Sequence, residues 1–266
     1  GSDRSLSPDE FGLVTARALE EKIHEVGADK VAAFIGEPVQ GAGGVIIPPD
    51  TYWPEIQRIC DEYGILLISD EVITGFGRLG EWFGADYFGT KPDLMPFAKG
   101  VTSGYLPLGG VLVGDRVADA MIDKGGEFFH GYTYSGHPAA CAVAIANIRL
   151  IQEQGLVDRV RNDIGPYLQE RWAKLGEHPL VGETRMIGLM GALELVQDKE
   201  TLERFPEKRG AGTICRDLFV ENGLVLRAVG DTMVCAPPLV LRKEEADELA
   251  DKVWQCLDLT AKALAS

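Results

Sequence analysis

A lysine and an aspartate each follow an apolar segment and could together do carbonyl chemistry. Lys99 comes after the mostly apolar residues 93–98 and before a glycine-broken loop, so we expect its amine to lie at the edge of a core. Burial disfavours the ammonium form, and a neutral amine is the nucleophile that forms Schiff bases. A surface lysine in a loop is the alternative that Lys99 alone leaves open.

Asp70 is the partner that a pyridine ring would need. A carboxylate held against a pyridine nitrogen keeps that nitrogen protonated, and the cationic ring then stabilises a carbanion next to a Schiff base. Lys99 and Asp70 are therefore a candidate pair for pyridoxal phosphate (PLP). Taken alone, Asp70 could equally cap a helix or a turn.

Short apolar segments are predicted to form a parallel sheet that positions these residues. Residues 31–37 and 65–69 are apolar almost throughout and have a helical pattern between them, which is typical of a sheet covered on both faces. Ligands of such sheets lie outside the carboxyl ends of the strands. Because Glu37, Asp70 and Lys99 each lie just past such an end, we expect them at one edge of the sheet.

The remaining pattern predicts an α/β fold that ends in a small α+β domain, with a boundary near Gly155. The second part combines several helices with few strands, including a hairpin of 224–228 and 232–235. We therefore assign 1–155 to a ligand-binding domain and 156–266 to a small C-terminal domain. Further strands are predicted at 109–114 and 186–195. Helices are predicted at 11–26, 52–63, 115–123, 138–154 (a buried helix), 156–175, 212–222 and 243–263.

Residues 75–80 match the pattern G-x-G-x-x-G after a predicted strand, which is the context of a dinucleotide site. The segment that follows, 81–92, has the aromatic and glycine-broken composition of a loop. A dinucleotide site needs a helix there, because the helix N-terminus holds the pyrophosphate. We therefore predict that no dinucleotide binds at this point.

Composition excludes several classes of protein. The chain has 266 residues and a formal net charge of -15, which disfavours a nucleic-acid partner because phosphate binding needs clustered lysine and arginine. It has neither an apolar run of roughly 20 residues nor a secretory leader, so no membrane partner is expected. Its five cysteines and four histidines lack the spacing of disulfide frameworks or metal sites. We predict a cytoplasmic protein without a bound metal.

Several motifs together resemble the class III (omega-type) PLP-dependent aminotransferases of fold type I. They follow the order and spacing of that family and cover most of the chain. The motifs are residues 37–41, 67–78, 97–100, 130–138 and 226–231, with the proline pair 237–238. The resemblance implies that the sequence is the C-terminal portion of such an enzyme: the latter half of a large domain, with a mostly parallel sheet and flanking helices, plus the small domain.

The resemblance implies a role for each matching residue around the cofactor. Lys99 corresponds to the lysine that forms the Schiff base and then carries the proton between substrate carbon and cofactor. Asp70 corresponds to the partner of the pyridine nitrogen, and Val72 to the apolar residue packed on one face of the ring. Glu37 is similar to a family glutamate near the cofactor and the substrate.

Two further residues connect the site to a second subunit and to the substrate. Thr133 corresponds to a threonine that reaches the cofactor phosphate of the neighbouring subunit, which implies a homodimer. Arg227 corresponds to a mobile arginine that pairs with the carboxylate of a keto-acid acceptor. A planar guanidinium can grip a carboxylate with two hydrogen bonds, which suits that role.

The implied activity is a ping-pong transamination from an amine or amino-acid donor to a keto acid such as pyruvate. Family members carry a further stretch before the point where this sequence begins, which contributes to the cofactor and substrate sites. We therefore expect this chain alone to bind PLP weakly or not at all. The alternative to an enzyme is a non-catalytic fragment. Among related enzymes the alternative is an aminomutase, but the match of Arg227 favours a transaminase over it.

Overall fold

The computed structural model describes residues 5–206 and 210–265, and their contacts form two compact units. The first unit holds Pro48–Gly77, Glu81–Gln154 and the described part of the segment that ends at Val39. The second holds Gln40–Ile47, Arg78–Gly80 and the described residues from Gly155 onward. The assignment of 1–155 to a cofactor-binding domain and 156–266 to a small domain stays a prediction.

A four-stranded sheet organises the first unit, in the order β1-β2-β3-β4. The first three strands are parallel and β4 is antiparallel to β3, so the predicted α/β fold with a mostly parallel sheet is confirmed. The expected cover on both faces of the sheet is incomplete among the described residues, because Ile35 of β1 is 60% exposed and three residues of β4, Val111, Leu112 and Val113, are exposed as well. The strands are β1 (Ala33–Gly36), β2 (Leu66–Ser69), β3 (Leu94–Phe97) and β4 (Gly110–Val113).

The helices of the first unit include the predicted ones, with shifted ends. At the first helix, Ser7 and Glu10 form a capping box, which extends the helix beyond its predicted start. The first two helices contact each other and pack on the sheet through a core that includes Ile23, Trp53 and Leu67. The helices are α1 (Pro8–Val26), α2 (Tyr52–Tyr63), α3 (Gly84–Phe88), α4 (Asp115–Lys124) and α5 (Pro138–Glu153).

The prediction that α5 is a buried helix was wrong. Its bounds agree with the prediction, and Ala140, Ala144 and Ile151 are buried. Ile145 and Leu150 on the same helix are 52% and 50% exposed. The apolar composition of the helix indicated that all of its faces are buried. Among the described residues of this unit, other side chains cover only one face of the helix.

The second unit is built on an antiparallel sheet in the order β5-β6-β8-β7. Its strands are β5 (Val181–Ile187), β6 (Met190–Leu195), β7 (Arg227–Val229) and β8 (Thr232–Cys235). Its helices are α6 (Leu156–Arg159), which continues through a π-helical turn (Val160–Ile164) into α7 (Gly165–Lys174), then α8 (Ala211–Glu221) and α9 (Lys243–Ala265). A core that includes Trp172, Leu193, Phe219 and Val253 joins the sheet to these helices.

One predicted strand of the second unit was wrong, and one predicted hairpin is confirmed. Residues 186–195 do not form a single strand, because the chain reverses at Gly188 and leaves β5 and β6 as an antiparallel pair. Gly188 has φ +53°, and a Cβ there would lie 2.4 Å from the carbonyl oxygen of Arg78. Gly188 and Gly191 are separated within an apolar run, so neither marked the turn in the sequence. The hairpin of β7 and β8 forms as predicted.

Candidate active site

The carboxyl ends of β1, β2 and β3 are fixed side by side by backbone hydrogen bonds. The amide of Asp70 donates to the carbonyl oxygen of Gly36 at 2.8 Å, and the amide of Glu71 donates to that of Pro96 at 2.9 Å. These bonds extend the parallel pairing of the strands to the residues just past their ends. Residues that follow the three strands therefore lie at one edge of the sheet.

Three predicted site residues follow these strand ends. Glu37 comes directly after β1, Asp70 directly after β2, and Lys99 two residues after β3. The structure thus places them at one edge of the sheet, as the order of elements indicated. Their chemical roles stay predictions.

Asp70 combines a local cap with a free acceptor. Its Oδ1 accepts a hydrogen bond from the amide of Val72 at 3.1 Å. Asp70 therefore does cap a turn, which was the alternative to a role in cofactor binding. Among the described residues, Oδ2 has no hydrogen-bond partner. Both residues are half-buried. One carboxylate oxygen of Asp70 therefore remains for a donor from outside the chain.

Lys99 begins a 3-10 helix, Lys99–Thr102, and has the left-handed φ of +40°. Non-glycine residues adopt this region rarely and at a cost, and such strain occurs often at functional sites. The side chain is exposed, so the expected burial of its amine is not seen among the described residues, although Val101 and Thr102 of the same turn are buried. Nζ has no ion-pair or hydrogen-bond partner among the described residues.

Asn147 on α5 holds the turn that begins at Lys99. Its Nδ2 donates to the carbonyl oxygens of Gly100 at 2.9 Å and Val101 at 3.0 Å, and its Oδ1 accepts from Ser103 Oγ at 2.7 Å. Sequence reasoning missed this residue. The sequence feature that could have identified it is its amide side chain within the apolar segment that forms α5.

Glu71 was also missed, although it directly follows Asp70. Its buried carboxylate accepts hydrogen bonds from the amides of Gly84 at 2.8 Å and Ala85 at 2.7 Å, at the start of α3. The prediction that 81–92 is entirely loop was wrong, because α3 forms within it. The donors that a helix start could offer to a phosphate are here occupied by Glu71.

Thr133 lies in an exposed segment that carries several large aromatic side chains. Every described residue from 125 to 139 is exposed. Around Thr133, four rings are 67% to 87% exposed: Phe128, Phe129, Tyr132 and Tyr134. An exposed apolar patch of this kind is typical of an interaction surface.

Arg227 belongs to the second unit, whereas the other five predicted site residues belong to the first. It is the first residue of β7, opposite Val234 of β8, and its side chain is exposed. The hairpin is held by Asp231, whose Oδ1 accepts a hydrogen bond from the amide of Gly212 at 2.8 Å. Arg227 is thus presented on a strand fixed to α8.

Metal-ligating side chains are not clustered within 5–206 and 210–265. In these ranges, no three histidine, cysteine, aspartate or glutamate side chains are grouped as ligands for a metal ion. No helix within them is both long and apolar enough to cross a membrane. All five cysteines are free thiols, and four of them are buried.

Known proteins with similar sequences and structures are aminotransferases. The family model "Aminotransferase class-III" matches residues 8–257. The chain is 56% identical over 264 residues to putrescine–pyruvate aminotransferase of Pseudomonas aeruginosa, covering 99% of the chain and 58% of that protein. It is 45% identical over 257 residues to mitochondrial gamma aminobutyrate transaminase 1 of Solanum lycopersicum, covering 96% and 50%.

A solved structure supports the same relationship. The crystal structure of an (S)-enantioselective omega-transaminase from Thermomicrobium roseum matches with a TM-score of 0.92 at 45% identity. The match covers 97% of the chain and 57% of that structure. The chain therefore spans between half and three fifths of the length of these relatives.

Proposed function

Since the chain belongs to the class III aminotransferase family, we propose that it contributes the catalytic lysine to a PLP-dependent transfer of an amino group to a keto acid. The observation that carries the proposal is the placement of Lys99 and Asp70 past the ends of adjacent parallel strands, β3 and β2. This edge is where ligands of such sheets bind. The family match spans both residues.

The side chains at this edge fit the chemistry of PLP, which the family uses. When bound, PLP supplies an aldehyde for an amine and a ring that stabilises a carbanion. Lys99 offers a primary amine and Asp70 offers Oδ2 as acceptor for a pyridine N–H, and neither atom has a partner within the described part of the chain. Val72 would pack on the ring, and Glu37 lies at the same edge. Nζ of Lys99 would then move the proton from the substrate carbon.

We propose a diamine such as putrescine as donor and pyruvate as acceptor. Support comes from the similarity to putrescine–pyruvate aminotransferase, which is 56% identical over 264 residues and covers 99% of the chain. Arg227 would bind the acceptor carboxylate through its guanidinium, which makes two parallel hydrogen bonds to such a group. The relative named for gamma-aminobutyrate indicates an amino-acid donor as the second candidate.

We further propose that the active form is a homodimer in the cytoplasm. The exposed aromatic segment around Thr133 supports a second copy as partner, because burial of Phe128, Phe129, Tyr132 and Tyr134 would be favourable. Thr133 would then reach the phosphate of the partner's cofactor. Four buried free thiols support a reducing compartment.

Trapping of the cofactor tests the proposed function. PLP is added in large excess, because the chain alone is expected to bind it weakly, the adduct is reduced with borohydride, and the modified peptide is identified by mass spectrometry. We expect the label on Lys99 and its loss in Lys99→Ala, with Lys91→Ala as the control because Lys91 is another exposed lysine of the same unit. Label on other lysines alone would contradict the assignment.

A donor panel with pyruvate then separates the remaining alternatives. Alanine produced from pyruvate and a diamine indicates transamination, whereas an isomerised donor without alanine indicates an aminomutase. The same measurements on the 266-residue chain and on the Pseudomonas aeruginosa relative test the fragment alternative. We expect weaker PLP binding by the chain alone, and equal affinity and turnover would contradict that expectation.

A further inference from the structure

Glu71 is fully buried, at 0% exposure, although it directly follows the half-buried Asp70. Its Oε1 accepts hydrogen bonds from Ser69 Oγ at 3.0 Å and from the amide of Ala85 at 2.7 Å. Its Oε2 accepts from Thr74 Oγ1 and from the amide of Gly84 at 2.8 Å. Each carboxylate oxygen therefore receives two donors.

In this arrangement both oxygens of the carboxylate act as acceptors. Two of the four donors are backbone N–H groups, which cannot turn into acceptors. Among the described residues, no lysine, arginine or histidine forms an ion pair with Glu71. Hydrogen bonds alone therefore satisfy this buried carboxyl group among the described residues, which makes each of them important.

The four donors surround the turn that carries Asp70. Ser69 is the last residue of β2, Thr74 lies four residues after Asp70, and the two amides begin α3. The peptide groups on both sides of Asp70 are also fixed, because the amides of Asp70 and Glu71 bind the neighbouring strand ends. Glu71 thus connects the end of β2 to the start of α3 around the Asp70 turn.

Gly84, whose amide binds the Glu71 carboxylate, also contacts the chain just after β1. A Cβ at Gly84 would lie 2.5 Å from Cβ of Pro38, so the start of α3 packs directly on the residue after Glu37. A side chain at Gly84 would separate the two. The Glu71 carboxylate therefore fixes α3 against the edge of the sheet where Glu37 and Asp70 lie.

We propose that Glu71 is a positioning residue that orients Asp70 toward the cofactor nitrogen, an inference that rests on the proposed function. Its hydrogen bonds hold the turn in which Asp70 Oδ1 accepts from the amide of Val72 while Oδ2 has no partner among the described residues. Glu71 does not touch the reacting atoms and acts through Asp70.

The test uses Glu71→Gln, which keeps the shape but replaces one oxygen by an NH₂ group. In either orientation the NH₂ faces a backbone N–H, of Gly84 or of Ala85, and one donor is left unsatisfied. Asp86→Asn is the matched control, because Asp86 is an exposed acid of α3 whose Oδ2 accepts from the amide of Phe83. Asp70→Asn and the double variant of Asp70 and Glu71 complete a cycle.

Three properties are measured in the holoenzyme: the Kd for PLP, the pH profile of the bound-cofactor absorbance, and kcat and KM for the amine donor. We expect Glu71→Gln to raise Kd at least about tenfold, to shift the pH profile as Asp70→Asn does, and to lower kcat more than it changes KM. In the double variant, the loss should equal that of Asp70→Asn alone. The proposal would be overturned if the loss in the double variant were the product of the losses in the two single variants. It would also be overturned if Glu71→Gln gave the same values as Asp86→Asn.

Single-donor variants keep the proposal testable if Glu71→Gln does not fold. Ser69→Ala and Thr74→Val each remove one hydroxyl donor and leave the carboxylate, so both should shift the absorbance profile in the same direction by a smaller amount. No shift in either variant would overturn the role of Glu71. If Asp70→Asn itself leaves Kd and absorbance unchanged, the proposed role of Asp70 fails instead, and the role of Glu71 that depends on it fails as well.

Discussion

Two acidic residues follow β2 in adjacent positions, and their surroundings suit them to different tasks. Successive residues of an extended chain point to opposite sides, which lets Glu71 enter the interior while Asp70 remains half-buried at the edge. Four donors satisfy Glu71 completely, whereas Asp70 keeps one oxygen without a partner among the described residues. The buried acid is therefore suited to structure and the half-buried one to ligand binding.

Lys99 is held in a backbone conformation that glycine would adopt more easily. With φ at +40°, Lys99→Gly relieves steric strain that Lys99→Ala retains. We expect the free energy of unfolding of the glycine variant to exceed that of the alanine variant by about 1 kcal/mol, measured by urea denaturation. Both variants should fail to form the borohydride-reducible PLP adduct.

Lys22 provides the matched control, because it is an exposed lysine inside helix α1. There the order should reverse, with Lys22→Gly less stable than Lys22→Ala by about 1 kcal/mol. The same order at both positions would show that the conformation of Lys99 is not strained.

The elements at the sheet edge were predictable from sequence because their signals are local. Continuous apolar runs gave β1, β2 and β3, and the position of polar residues just after them located Asp70 and Lys99. The turn at Gly188 and the exposure of α5 were not predictable, because they depend on tertiary contacts. Contacts also decide the roles of Asn147 and Glu71, whose residue types alone do not distinguish a buried anchor from a solvated side chain.

Helix α5 fixes the Lys99 turn through one side chain. Asn147→Ala removes both donors to the carbonyl oxygens of Gly100 and Val101. We expect a destabilisation of about 1–3 kcal/mol and faster hydrogen exchange at the amides of Val101 and Ser103, which bond within this turn. Asn147→Asp should have a larger effect, because a carboxylate would face two carbonyl oxygens.

Arg149→Ala is the control for this prediction, since Arg149 is an exposed residue of the same helix. Exchange at Val101 and Ser103 should remain as in the unmodified protein. Equal exchange rates in Asn147→Ala and Arg149→Ala would show that α5 does not hold the turn.

The molecule divides its proposed tasks between two units that each have a core. The first carries the residues proposed to hold the cofactor, and the second carries Arg227, proposed to bind the acceptor. Changes in the core of the second unit should therefore act on acceptor recognition as well as on stability. That core contains the buried thiols of Cys215 and Cys235. The free energy of unfolding should therefore depend on pH in the alkaline range where thiols ionise.

Burial raises the pKa of Cys215 and of Cys235 to about 12, from an ordinary value of 9.0. Because the folded pKa lies above the unfolded one, the stabilising contribution is complete below about pH 9 and is lost as pH rises toward 12. We expect the free energy of unfolding to fall between pH 8 and pH 10.5. In Cys215→Ala this fall should be smaller by about 1–2 kcal/mol.

Cys141→Ala is the control, because Cys141 is a half-buried thiol of the first unit, and this variant should retain the full fall. If the free energy of unfolding falls equally with pH in Cys215→Ala and in the unmodified protein, the Cys215 thiol is not the cause of the fall.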